Sequence, residues 1–258
     1  MAMSKWIEGR VVGRRDWADN LYSLEVEAPD IVFTAGQFAR LALPAPPGSP
    51  EPMLGRPYSF VNPPGAAPHE FYIVTVPEGP LTPRLARLRV GDPLWLLRGA
   101  NGFFCIGEVP PADVLWCIAT GTGLAPFLSI LRTPEPWARY SRIVLVHAVR
   151  RACELTYRDT LAGIEAAHPQ AFRVVSMVSR EDHAGALAGR IPAAIADGRL
   201  EAAAGAPLTA ASAQVMLCGN PAMVEDAIAV LALRGMRRHR RREPGQITAE
   251  SYWQAGAT

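Results

Sequence analysis

Arg56, Pro57, Tyr58 and Ser59 stand in one run that reads as a strand. Side chains alternate across a strand, so Arg56 and Tyr58 project to one face and Ser59 to the other. The run offers a guanidinium fork suited to a pyrophosphate, an aromatic plane for stacking, and a hydroxyl near the edge of a stacked ring. An ordinary strand with a half-exposed tyrosine has the same make-up, so the run gains meaning from what accompanies it. Downstream, Gly79-Pro80-Leu81-Thr82-Pro83 reads as a helix start, with the Thr82 hydroxyl at the N-cap and Pro83 at the first helical position. Free amides there suit a phosphate opposite Arg56; a capped surface helix with no ligand is the plainer reading.

A second group lies further along. Thr120-Gly121-Thr122-Gly123 follows an apolar strand and precedes a helix that begins near Pro126. Glycine lets the backbone turn sharply beside a pyrophosphate, and the helix points its positive end at the charge. This is a phosphate-loop pattern rather than the Gly-x-Gly-x-x-Gly fingerprint. Arg150 and Arg151, Arg180, and Arg190 follow later strands, where an open parallel sheet binds nucleotides. Converging cations favour a 2'-phosphate, although each arginine taken singly is also a solvated surface charge, Arg151 above all. Glu181 and Asp182 partly offset the field of Arg180. Cys218-Gly219-Asn220-Pro221 closes a strand and leaves a thiol beside an open turn, which also fits a packing cysteine. Ala249-Glu250-Ser251-Tyr252-Trp253 adds two aromatic planes, and Arg237-Arg238-His239-Arg240-Arg241-Arg242 a basic run that fits either an acidic partner or a solvated helix end.

Two textures of chain must position these groups. Up to about Asn101, short alternating runs at 21–26, 38–43, 58–61 and 71–76 are separated by glycine and proline, as in an antiparallel barrel or sandwich. The proline-rich stretch 44–55 reads as a loop. From about Asp113, apolar strands at 114–119, 143–148, 172–178 and 215–218 alternate with helices at 126–131, 155–167 and 222–233. That alternation implies a parallel, doubly wound sheet. The boundary falls in 102–111.

Composition narrows the classes. The chain has 258 residues, 49% of them apolar, and a net charge of +2. It can bury a large core and is not disordered. No window is apolar enough for a spanning helix and no basic start precedes an apolar run, so the expectation is a cytoplasmic protein with neither membrane nor nucleic acid as partner. The four cysteines match no zinc or iron-sulfur spacing, and no metal is expected. Three of them, Cys105, Cys117 and Cys218, sit among apolar neighbours and read as buried.

Taken in order, the motifs resemble the bacterial ferredoxin/flavodoxin-NADP(H) reductases of the plant-type ferredoxin reductase superfamily. The resemblance rests on Arg56 to Ser59, Val76 to Thr82, Ala119 to Gly123, Val178 to Glu181, Gly189 to Pro192, Met216 to Pro221 and Ala249 to Trp253, and covers almost the whole chain. It implies an antiparallel six-stranded β-barrel over residues 1–106 that binds FAD, and an α/β doubly wound domain over 107–258 that binds NADP(H). Carried over residue by residue, Arg56, Pro57, Tyr58, Ser59, Ile73, Val74, Thr75, Pro80, Leu81, Thr82, Thr122, Tyr252 and Trp253 match FAD positions. Thr120, Gly121, Gly123, Val149, Arg150, Ser179, Arg180, Arg190, Cys218, Gly219 and Asn220 match the nucleotide site. Ser59 is then the hydrogen-bond partner near flavin N5, Tyr58 and Tyr252 stack on the ring, and Cys218 and Glu250 wall the nicotinamide pocket. Residues 254–258 run past the family's usual Tyr-Trp end. The implied activity is FAD-dependent transfer from NADPH to an acidic ferredoxin or flavodoxin, by a monomer. A flavin reductase component serving an oxygenase or ferric siderophore, and a non-catalytic flavin or nucleotide sensor, are the alternatives.

Overall fold

The computed structural model describes residues 5–29 and 31–251. Six strands, β1 (Trp6–Ala18), β2 (Leu21–Glu27), β3 (Phe38–Pro44), β4 (Met53–Ser59), β5 (His69–Val74) and β6 (Pro93–Leu97), form an antiparallel sheet in the order β4-β3-β6-β1-β2-β5. β1 is the spine, pairing with β6 through its first half and with β2 through its second. Register shifts between Val11 and Gly13 and between Asp16 and Ala18 bend it, as bulges do. A bridge between Phe60 and Phe71, with the Val61 amide donating to the Glu70 carbonyl at 2.9 Å, joins the two ends of the sheet and closes the barrel. Val11, Leu24, Leu41, Phe60, Phe71 and Leu96 fill its interior with 0% exposure.

The second half is a parallel sheet of β7 (Val114–Thr120), β8 (Arg142–Val149), β9 (Phe172–Val178), β10 (Leu187–Ala188), β11 (Ala213–Gly219) and β12 (Ile247–Ser251), ordered β10-β9-β8-β7-β11-β12. Its helices follow α1 (Thr82–Leu85), which belongs to the barrel half: α2 (Leu124–Leu131), α3 (Glu135–Arg139), α4 (Arg158–Ala167), α5 (Ile191–Ala196), α6 (Arg199–Ala204) and α7 (Pro221–Ala232). Strands buried on both faces are nearly continuous apolar runs, which is why they were legible in the sequence. One face packs Leu115, Cys117 and Leu145 against Phe127 of α2 and Leu161 of α4, and the same cluster takes in Leu21, Val61 and Tyr72 from the barrel. The other face packs Trp116, Val146 and Leu217 against α5, α6 and α7. No helix among the described residues is long and apolar enough to cross a membrane.

Three expectations shift. The strand expected at 58–61 begins at Met53, because the stretch expected to be a loop is a β3–β4 hairpin whose Ala45 amide donates to the Pro52 carbonyl at 2.9 Å. Gly55 is not punctuation: a Cβ there would stand 2.7 Å from the Trp6 indole, so the strand uses glycine to seat that ring. β6 carried no expectation from the sequence and is defined by its pairing with β1 and β3.

Candidate functional site at the switch of strand order

The parallel sheet reverses its winding between β7 and β11, and ligands of such sheets bind at that crevice, beyond the carboxyl ends of the strands. The two turns that flank it are packed against each other. A Cβ on Gly123 would lie 2.3 Å from the Cys218 carbonyl oxygen, and one on Gly219 would lie 2.2 Å from Thr120 Oγ1. Both glycines are therefore dictated by backbone approach. Thr120 Oγ1 accepts the Asn220 amide at 2.9 Å, tying the turns together. Asn220 is the N-cap of α7, its side-chain oxygen accepting from the Ala222 amide at 2.9 Å, with Pro221 in the first turn. Gly121–Gly123 forms a 3-10 turn that runs straight into α2, and a Cβ on Gly121 would point into open space, with no described residue beyond its chain neighbours within 4 Å. Beneath it, the fully buried His147 ring bonds the Gly121 backbone; burial pushes its pKa down to about 4, so the ring is neutral.

The barrel brings β5 alongside this turn. The β4 segment behaves as its alternation predicts: Arg56 is exposed, Tyr58 is half-buried, and Ser59 is buried. Burial raises the Tyr58 phenol well above its ordinary range. Among the described residues, the buried Ser59 Oγ has no hydrogen-bond partner and the Arg56 guanidinium bonds the adjacent Gly55 carbonyl at 3.0 Å. Ile73 and Leu81 turn their side chains into the barrel core, so only their backbones can face a ligand, whereas Val74, Thr75 and Pro80 reach the surface. Thr82 departs from expectation. It is the first residue of α1, not its N-cap, and its hydroxyl accepts the Val76 amide at 2.9 Å and donates to the Val76 carbonyl at 3.1 Å. A single turn of helix offers no phosphate site of its own; the hydroxyl instead holds the Val76–Gly79 turn in shape.

Val149 ends β8 and Ser179 follows β9, the Ser179 amide donating to the Val149 carbonyl at 3.1 Å. Arg150, Arg180 and Arg190 beside them are exposed, and among the described residues none of their side chains makes an ion pair or hydrogen bond. Glu181 accepts the Ala152 amide at 2.6 Å and makes no ion pair with Arg180 among the described residues.

Cys218 lies in register between Ala119 of β7 and Glu250 of β12, and its side chain is fully buried. Glu250 borders a cavity of about 490 Å³ lined also by Gly102, Phe103, Glu108, His239 and Arg241, and burial lifts its carboxyl to about 7. The basic run is not a helix end. It is an irregular segment bridged at Arg238 and Ile247, in which Arg241 pairs with Glu108 at 2.9 Å and lies 4.6 Å from the centre of the exposed Phe103 ring. Tyr252 and Trp253 lie outside the described residues, as do 254–258.

Comparison with known proteins decides the family. The oxidoreductase NAD-binding domain model matches residues 117–228. The flavodoxin/ferredoxin–NADP reductases of Escherichia coli (strain K12) and Shigella flexneri are each 45% identical to this chain over 97% of its length and 100% of theirs. The chain belongs to the flavodoxin/ferredoxin–NADP reductase family. This reductase is accordingly an oxidoreductase, and its two-domain architecture matches that of a ferredoxin NADP+ reductase from Neisseria gonorrhoeae solved with bound FAD and NADP. That match has a TM-score of 0.90 and 32% identity, and covers 97% of this chain and 100% of that one.

Sequence reasoning missed several features of the reductase. His147 under Gly121, the Glu108–Arg241 pair and a buried hydroxyl cluster around Tyr157 carried no motif. Their partners are 26 to 134 residues away, a separation that spacing cannot reveal.

Proposed function

We propose that this reductase holds FAD between the barrel and the nucleotide domain, binds NADP(H) at the switch of strand order, and exchanges single electrons with flavodoxin or ferredoxin. The observation that carries the reading is the Ser59 hydroxyl, 4% exposed and without a hydrogen-bond partner among the described residues. A buried polar atom left unpaired is costly, and a ring-edge nitrogen supplied by a cofactor is the kind of partner it lacks. The surrounding groups fit: Arg56 for a pyrophosphate, Pro57 and Tyr58 against the ring, the Ile73–Thr75 and Pro80–Thr82 backbones along its length, and Thr122 reaching from the other domain. Tyr252 and Trp253 are assigned to the far side of the ring on the sequence resemblance. When bound, the flavin supplies the conversion of a two-electron donor into one-electron steps.

The chain's own part is to position and to exclude water. Gly121 and Gly123 allow the α2 turn to approach the nicotinamide dinucleotide, with Thr120, Gly219 and Asn220 fixing the opposite wall. Val149 and Ser179 line the strand ends, and Arg150, Arg180 and Arg190 take the 2'-phosphate. Cys218 and Glu250 wall the nicotinamide pocket. The basic segment Arg237 to Arg242, with Phe103 beside Arg241, faces an acidic carrier. We place the division between domains at 106/107, and read the reductase as a cytoplasmic monomer.

The test is reconstitution. Protein stripped of cofactor should take up about one FAD, then reduce flavodoxin with NADPH at a rate that falls as salt is added, because exposed charges are screened. A preparation that retains no flavin overturns the reading, and a flat salt response removes the docking role of the basic segment.

A further inference from the structure

Tyr157 combines three properties that rarely coincide. Its backbone is left-handed, at φ 55° and ψ 26°, a conformation that costs a bulky residue energy and persists where its surroundings enforce it. Its side chain is buried at 6% exposure although it begins a surface helix, α4. All of its named side-chain partners belong to the other domain.

Those partners form a directed chain. Trp17 Nε1 donates to Ser23 Oγ at 2.8 Å, Ser23 Oγ lies 2.6 Å from the Tyr157 hydroxyl, and that hydroxyl donates to Glu70 Oε1 at 2.7 Å. Since the Tyr157 proton goes to Glu70, the Ser23 proton goes to Tyr157, and every polar atom in the line is satisfied with a fixed sense. The ring sits 4.5 Å from that of Trp17 and edge-on to Tyr72 at 5.2 Å. Next door, Thr156 Oγ1 lies 2.8 Å from the Tyr72 hydroxyl. Beyond Glu70, Arg132 of the nucleotide domain stands 4.0 Å from its carboxylate and donates to the Val61 carbonyl. The segment that carries Tyr157 also carries Arg150, whose amide is held by Glu154 at 2.9 Å.

We propose that Tyr157 is a positioning residue: its hydroxyl, locked between Ser23 and Glu70, fixes the barrel against the nucleotide domain and so sets the gap across which the reductase transfers hydride. The inference rests on the function proposed above. None of Ser23, Glu70, Trp17 and Tyr72 belongs to the expected cofactor or nucleotide contacts, so the effect travels through domain placement. Positional errors of about 1 Å can cost about a hundredfold in rate.

The experiment compares FAD-loaded parent, Tyr157→Phe, Ser23→Ala, Glu70→Ala and Glu70→Gln. Each carries spin labels at Val90→Cys in the barrel and Leu233→Cys after α7, two positions with 64% and 88% exposure, in a Cys153→Ser background. Tyr157→Phe keeps the ring and removes only the hydroxyl, so it folds if any variant does. Removing either end of the chain should broaden the label-to-label distance distribution and slow single-turnover hydride transfer by about tenfold or more, with NADP+ affinity unchanged. Glu70→Gln, which keeps an acceptor for the tyrosine, should restore both. An unchanged distance distribution in Tyr157→Phe, a slower rate at unchanged distance, or a loss confined to NADP+ affinity would each overturn the proposal. The labels report without turnover, so a parent that transfers no hydride refutes the function and not the lock.

Discussion

The Arg180 amide donates to the Arg150 carbonyl at 2.9 Å, so two arginines leave the ends of β8 and β9 side by side. Glu154 accepts the Arg150 amide and Glu181 the Ala152 amide, and among the described residues neither carboxylate is ion-paired with Arg150 or Arg180. Two arginines that leave adjacent strand ends, with no ion pair to either among the described residues, suit a multiply charged anion.

Replacing Arg150, Arg180 or Arg190 by Ala should therefore raise the Michaelis constant for NADPH by about ten- to a hundredfold, the worth of a hydrogen bond to a charged group. The constant for NADH should stay within about twofold. Steady-state kinetics with both nucleotides checks this, and equal effects on both would remove the 2'-phosphate assignment.

Ser59→Ala separates the two states of the site. Without cofactor the substitution deletes an unpaired buried hydroxyl and should leave the melting temperature unchanged or raised. With FAD bound it should weaken flavin affinity by about tenfold. Calorimetry of both forms is the measurement; a hydroxyl that stabilises the cofactor-free chain contradicts the site.

Gly123→Ala should cost about 3 kcal/mol of stability and abolish nucleotide binding, because the new methyl meets the Cys218 carbonyl oxygen at 2.3 Å and the crossing of the two turns must open. Denaturant unfolding and NADP+ titration read the two effects. Gly185→Ala has nothing within 4 Å but a positive φ, and should show only a milder strain.

Glu250 gives a pH dependence of known sign. Burial lifts its carboxyl from 4.5 to about 7, so the folded chain keeps a proton that the unfolded chain releases. Stability is then lost as pH rises through that window, by about 1–3 kcal/mol in all. Glu108, His239, Arg240 and Arg241 share its cavity and Cys105 is close by. Glu250→Gln should flatten the slope between pH 5 and about 7 in equilibrium unfolding.

Much of this was legible in the sequence because local chemistry wrote it there. Buried parallel strands such as Val114–Thr120 are unbroken apolar runs, and Gly121 and Gly219 mark turns whose φ values of 52° and 135° suit glycine. Thr82 misled, because a Thr-Pro pair looks the same whether the threonine caps a helix or staples the preceding turn. Gly55 misled in the same way, since the Trp6 ring that requires it lies 49 residues off. The Tyr157 lock was invisible: its hydroxyl partners at Ser23 and Glu70 are 134 and 87 residues distant, and only the packing of one domain on the other brings them together.

The most direct test of the central claim is an anaerobic stopped-flow mixing of the FAD-loaded reductase with NADPH or NADH while the flavin absorbance is followed. The account predicts bleaching by NADPH that is about ten- to a hundredfold faster than by NADH at equal subsaturating concentration. A flavin band that neither nucleotide bleaches, or that both bleach at one rate, would contradict it.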